Sequence, residues 1–176
     1  MAQAKRKKRF FDVEIPILNK ETQLQAFDIE ELNGRFITYD LTRLLRGKNI
    51  LAQFKVKVTG DKAEAIPREL KMFPSFLRRM IMKGTHQVDD SFEIQTKDSK
   101  AIIKPFSITR RKVARKIRTS IRNKTKEELI AYAKERTSEQ IFDDILKNSL
   151  QKDLSFKLKK IYPLSLCEIR IFKIKN

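Results

Sequence analysis

Apolar positions follow two different rhythms along this chain. Through the first hundred or so residues they mostly alternate with polar ones, the period of a half-buried strand. Phe10 to Ile17 alternates loosely and meets Pro16, which predicts a strand at a sheet edge. Asn33-Gly34 marks a turn, after which Arg35 to Leu41 reads as a strand. Gly47-Lys48-Asn49 turns the chain into Leu51 to Thr59, where Phe54, Val56 and Val58 alternate with Lys55 and Lys57. Gly60-Asp61 turns it again, toward Ala63 to Met72, an ambiguous stretch because Pro67 interrupts it. Phe92 to Thr96 and Ile102 to Ile108 flank Lys97-Asp98-Ser99-Lys100 and predict a hairpin.

Helical spacing intrudes once in this region. Pro74 is suited to a first helical position, and Phe73, Phe76, Leu77, Met80 and Ile81 recur at three and four until Gly84. The opposite face carries Arg78, Arg79 and Lys83, either a solvated face or part of a basic surface. After Ile108 the helical rhythm takes over. Val113, Ala114, Ile117 and Ile121 form a narrow stripe, and Leu129, Ile130 and Ala133 continue an apolar side. Thr137 with Gln140 three positions on matches a capping box, ahead of Ile141, Phe142, Ile145 and Leu146. A further helix runs through Leu150, Leu154, Leu158 and Ile161 to Tyr162-Pro163, and Leu166 to Ile174 closes with a strand. Strands first, helices later and a returning strand predict an α+β class, an antiparallel sheet or partly closed β-barrel with one inserted helix and a C-terminal helical part. The expected organisation is a basic arm over residues 1–9 and one domain over 10–176, sheet-rich over 10–108, helical over 109–162 and closed by a strand over 166–174.

Composition sharpens this picture through charge. The 176 residues carry 40 Lys and Arg against 22 Asp and Glu, a net +18. Residues 1 to 11 contain Lys5, Arg6, Lys7, Lys8 and Arg9 without an acid, and residues 99 to 126 are equally free of acids. These two segments hold nearly all of the excess, while the rest is close to neutral. Within the second, Arg110, Arg111, Lys112, Arg115, Lys116, Arg118, Arg122, Lys124 and Lys126 surround very few apolar residues. Such density repels itself unless a polyanion supplies counter-charge with release of condensed counterions. A membrane-surface helix would need a broad Phe/Leu face, which is missing here. The expected partner is RNA or DNA, and the candidate contacts are Lys5, Arg6, Lys7, Lys8, Arg9, Arg78, Arg79, Lys83, Lys104, Arg110, Arg111, Lys112, Arg115, Lys116, Arg118, Arg122 and Lys124.

Catalytic patterns are sparse. The four glycines are isolated turn residues, so no phosphate-cradling loop is formed. One His and one Cys support neither a zinc cluster nor a Ser-His-Asp or Cys-His arrangement. Cys167, inside an apolar run, reads as a core residue. His86 follows Gly84-Thr85, where it either touches a phosphate or base or lies on the surface without a role. The acidic doublets Glu30-Glu31, Asp89-Asp90, Glu127-Glu128 and Asp143-Asp144 diverge on a strand or a helix, so the enzyme alternative reduces to a nuclease built from distant carboxylates. No apolar run approaches a membrane span and no signal-peptide pattern is present, which predicts a cytoplasmic protein with no cofactor, no metal and no small-molecule substrate.

Three stretches resemble a known family. Gly34-Arg35 followed by Asp40-Leu41 is the first. The second runs from Leu77-Arg78-Arg79 through Gln87-Val88-Asp89, Phe92-Glu93-Ile94, Thr96-Lys97-Asp98 and Lys104-Pro105 to Ile108-Thr109-Arg110-Arg111. The third is Lys159-Lys160-Ile161-Tyr162-Pro163-Leu164 with Glu168-Ile169-Arg170 and Lys173. Their order and spacing are similar to the archaeal and eukaryotic small-subunit ribosomal protein family called S-three-A-e, or e-S-one, and the chain resembles a compact, archaeal-type member. The resemblance implies a structural protein of the small-subunit platform near the messenger exit, touching ribosomal RNA and neighbouring ribosomal proteins, with messenger RNA close by. The alternative is an RNA-binding protein acting outside the ribosome.

Overall fold

A computed structural model describes residues 7–45, 47–60 and 62–175. The chain divides into two compact units, Met1–Tyr39 with Gln53–Arg68, and Asp40–Ala52 with Glu69–Asn176. Lys5 and Arg6 lie outside the described residues.

In the first unit, β1 (Arg9–Ile15) and β2 (Lys20–Ala26) form an antiparallel hairpin in the register Val13 to Thr22. Pro16 opens the connecting 3-10 turn Pro16–Leu18, and Asn19 closes it at φ 49°, a left-handed geometry that Asn tolerates. The placement of β1 at an edge is therefore corrected. It lies between β2 and β5 (Lys62–Met72), to which it pairs in parallel through Val13 and Ala63. Pro16 misled because it sits just past the strand end, where no ladder hydrogen bond is needed. β2 went unpredicted because only Leu24 and Ala26 in it are apolar; its pairing with β1 makes it a strand. β4 (Ile50–Thr59) pairs with β3 (Phe36–Asp40) and with β5. Phe54 and Val56 are buried, as the alternation predicts. Pro67 lies between the β5 residues that pair with β1 and those that pair with β9, so its missing N–H interrupts neither.

The second unit is organised around β8 (Lys100–Thr109), with β9 (Leu164–Ile174) antiparallel on one side and β7 (Phe92–Gln95) and β6 (Gln87–Asp89) on the other. The predicted hairpin is present, with Gln95 opposite Lys100. The register shifts between Lys104 and Pro105, passing from Ile171 to Ile169 on β9, so proline meets the ladder at a bulge. β9 also pairs with the end of β5 through Leu70 and Phe172. The class is α+β, with a mixed sheet, since β1 and β5 run parallel while β8 and β9 run antiparallel.

Among the described residues four helices complete this unit: α1 (Pro74–Met80), α2 (Arg115–Lys134), α3 (Ser138–Lys147) and α4 (Ser149–Leu158). α1 ends before Gly84, at an extended Ile81. α2 begins at Arg115 rather than Thr109, so Arg110, Arg111 and Lys112 lie on the segment that enters it. Ile121, Thr125, Leu129 and Ala133 point inward at spacings of four, and α3 and α4 pack against β9. The capping box at α3 forms in both directions, Gln140 N–H to Thr137 Oγ1 at 3.3 Å and Thr137 N–H to Gln140 Oε1 at 3.1 Å. Phe106, Ile108, Phe142, Leu154, Ile169 and Phe172 fill the core between.

Candidate nucleic-acid interface

The approach to α2 is held by a latch at the end of β8. Thr109 N–H donates to His86 O at 2.9 Å, while Thr109 Oγ1 accepts from His86 N–H at 3.0 Å and lies 2.7 Å from Arg111 O. His86 Nδ1 accepts the Val113 N–H at 3.1 Å. One nitrogen of the imidazole is thus engaged within the chain. It fixes the backbone between two cationic stretches, a role the sequence reading did not foresee because it depends on a neighbour 27 residues away.

Arg110, Arg111 and Lys112 are exposed on this fixed segment, and Arg115, Lys116 and Arg122 are exposed on α2. The helix starts at Ala114 without a side-chain cap and with no acid in its first turn. Cations at an uncapped N-terminus add to the positive end of the helix dipole, which is unfavourable until an anion arrives. The free N–H groups of that turn are donors of the kind that phosphate accepts. Arg118 is half-buried, and its Nε is buried without a hydrogen-bond partner. Lys124 is different: Glu127 at 3.4 Å and Glu128 at 3.2 Å already oppose it. Both carboxylates raise the Lys124 pKa, and the Lys157 and Lys124 ammoniums hold the Glu128 carboxyl below its ordinary value. Lys126 Nζ lies 5.8 Å from the centroid of the Phe92 ring.

The other candidates are less concentrated. Arg78, Arg79 and Lys83 are exposed on and just beyond α1, with Arg79 over the Phe76 ring at 5.8 Å. Lys104 is half-buried on β8. In the first unit Lys7, Lys8 and Arg9 are exposed, and Lys8 Nζ lies 5.6 Å from the Phe27 ring centroid. The sequence places a helix at α4 but singles out none of its lysines, because the charge of residues 127 to 176 nearly cancels. Locally it does not cancel: Lys152, Lys157, Lys159 and Lys160 are exposed around Phe156, whose side chain is 72% exposed. An acid-free stretch from Leu154 to Cys167 is the signal that could have revealed it.

Among the described residues, no group of three or more His, Cys, Asp or Glu is placed to hold a metal ion. No described helix is long and apolar enough to cross a membrane. Cys167 is buried, with burial pushing its thiol up to about 11, so little of it is the reactive thiolate near neutral pH.

Comparison with known proteins adds the family context. The model of the Ribosomal S3Ae family matches residues 2–176. A small ribosomal subunit protein eS1 of Nanoarchaeum equitans is 28% identical over 178 residues, 97% of this chain and 90% of that protein. Its counterpart in Pyrobaculum aerophilum is 30% identical over 138 residues, 77% of this chain and 62% of the relative. That of Methanobrevibacter smithii is 24% identical over 179 residues, covering 97% and 93%.

Proposed function

The chain belongs to the ribosomal S3Ae family, matched over residues 2–176, and on that premise we propose that it is a structural constituent of the small ribosomal subunit that binds ribosomal RNA. The observation that carries RNA contact is the start of α2, where Arg110, Arg111, Lys112, Arg115 and Lys116 converge on an uncapped helix end with no acid in its first turn. Phosphate supplies the missing negative charge and accepts from the free N–H groups. Arg adds bidentate contacts and stacking on unpaired bases, so shape and backbone dominate over base reading. The remaining contacts in this proposal are Lys5, Arg6, Lys7, Lys8 and Arg9 of the arm, Arg78, Arg79 and Lys83 beside α1, Lys104 on β8, and Arg118, Arg122 and Lys124 on α2. The resemblance of the motifs supports the finer placement on the platform near the messenger exit, beside other ribosomal proteins and in the cytoplasm.

A sucrose gradient of native lysate, probed for this protein at low and at high salt, tests the assignment. Stoichiometric co-migration with the small subunit at both salts is expected. Recovery at the top of the gradient at low salt would replace it with an RNA-binding protein acting outside the ribosome.

A further inference from the structure

In the first unit, the large apolar side chains exposed among the described residues are all phenylalanines: Phe10 at 63%, Phe36 at 56% and Phe27 at 36%. Alternation turns two of them outward. β1 buries Val13 and Ile15 and leaves Phe10 on its outer face, and β3 buries Ile37 and leaves Phe36 exposed. Phe10 pairs across the hairpin with Gln25, and Arg35 Nη1, on the residue before Phe36, donates to the carbonyl of that same Gln25 at 3.0 Å. The other ends of β2 and β3 are joined by Lys20 Nζ donating to Tyr39 Oη at 2.8 Å. β3 therefore stands beside β2, with Phe10 and Phe36 on either side of the exposed Gln25. Phe27 has a different part: Lys8 Nζ lies 5.6 Å from its ring centroid, so this ring holds a cation beside the other two.

Charge selects the occupant. Lys7, Lys8 and Arg9 are exposed and run straight into Phe10 within an acid-free segment. The acids nearby are engaged: Asp12 accepts from Gln23 Nε2 at 2.9 Å, and Glu31 accepts from the Phe27 N–H at 3.2 Å and pairs with Arg35 at 3.6 Å. Glu14 and Glu21 face each other at the far end of the hairpin, and Asp28 and Glu30 follow Phe27, so an anion approaches from the side of the arm. The core of a protein-docking face is continuous and poor in charge. Here separate flat rings stand among an amide and cations, which suits a polymer that brings one π-face and one phosphate per residue. We propose that this outer face of the first unit is a stacking platform for single-stranded RNA, with bases on Phe10 and Phe36 and phosphates on Lys7, Lys8 and Arg9. Every base has a face to stack, so little preference among sequences is expected. The platform rests on the RNA-binding reading above and adds to it a class of RNA, the unpaired strand, on a different unit from α2.

The chain contains no Trp, so Phe36→Trp in the full chain places a single indole reporter on the platform. Short oligoadenylate is expected to quench its fluorescence, and a strand of the same length and charge with abasic sugars is not. Fluorescence anisotropy gives the affinities. Phe10→Leu combined with Phe36→Leu keeps the surface apolar but removes its flat faces, and is expected to weaken oligoadenylate binding about tenfold. The same double variant should bind the abasic strand as before and keep its thermal transition, because both rings are exposed. No quenching, equal quenching by the abasic strand, or an unchanged affinity of the double variant overturns the platform while small-subunit RNA still binds through α2; a neighbouring protein would then be the occupant. Failure to bind any RNA, small-subunit RNA included, overturns the platform and the reading beneath it together.

Discussion

At residue scale the most informative contact is the Val113 N–H to His86 Nδ1 hydrogen bond, because it converts a flexible cationic segment into a positioned one. His86→Ala is expected to leave the fold in place, accelerate hydrogen exchange at the Val113 amide and lower RNA affinity severalfold. Unchanged exchange would mean that the Thr109 contacts suffice. The ion pair between Lys48 and Glu168 makes a different prediction. Its carboxylate side is 6% exposed and its ammonium side 29%. Lys48→Met leaves a buried charge unopposed and is expected to cost about 3 kcal/mol in urea unfolding, most of it recovered in a Lys48→Met, Glu168→Leu double variant. A loss below about 1 kcal/mol would class the pair with ordinary surface bridges.

At the scale of elements, α2 performs two tasks along its length. Its first turns present cations, while Ile121, Thr125, Leu129 and Ala133 bury one stripe. Changing Arg111, Arg115, Lys116 and Arg118 together to Glu should leave a cooperative thermal transition and abolish incorporation into small subunits. Loss of the transition would show that these side chains serve the core, a question sharpest for the half-buried Arg118. Further along, Glu128 accepts from Lys157 of α4 at 2.6 Å and pairs with Lys124. Its carboxyl is held below the ordinary glutamate value, chiefly by the Lys157 hydrogen bond. The stabilisation is therefore complete above that ordinary value and is lost as pH falls through the lower, folded-state one. Glu128→Gln should destabilise by about 0.5 kcal/mol near neutrality, given the exposure of both lysines. The difference between the two melting temperatures should close in strong acid.

For the whole molecule, an excess of +18 concentrated in two acid-free segments sets the expected salt dependence. If nine to eleven phosphates are neutralised, RNA affinity should fall with a log-log salt slope of about −6 to −10, and a slope shallower than about −3 would remove the basic segments as the principal contact. This much is legible without coordinates, since charge runs and local periodicity are properties of neighbouring residues. The α+β class, the Thr137 capping box, the hairpin of β7 and β8 and the basic character of α2 all follow from spacings of a few positions. β2 is a strand only because β1 lies beside it, and β1 is an interior strand only because β5 pairs with it in parallel. The latch on His86 spans 27 residues, and the Lys48–Glu168 ion pair spans 120. Sequence alone determined the composition and local shape of each element, because propensity, capping and alternation act over a turn or a strand pair. Tertiary structure alone decided which backbone His86 holds and that Lys48 meets Glu168, because those depend on groups that only folding brings together.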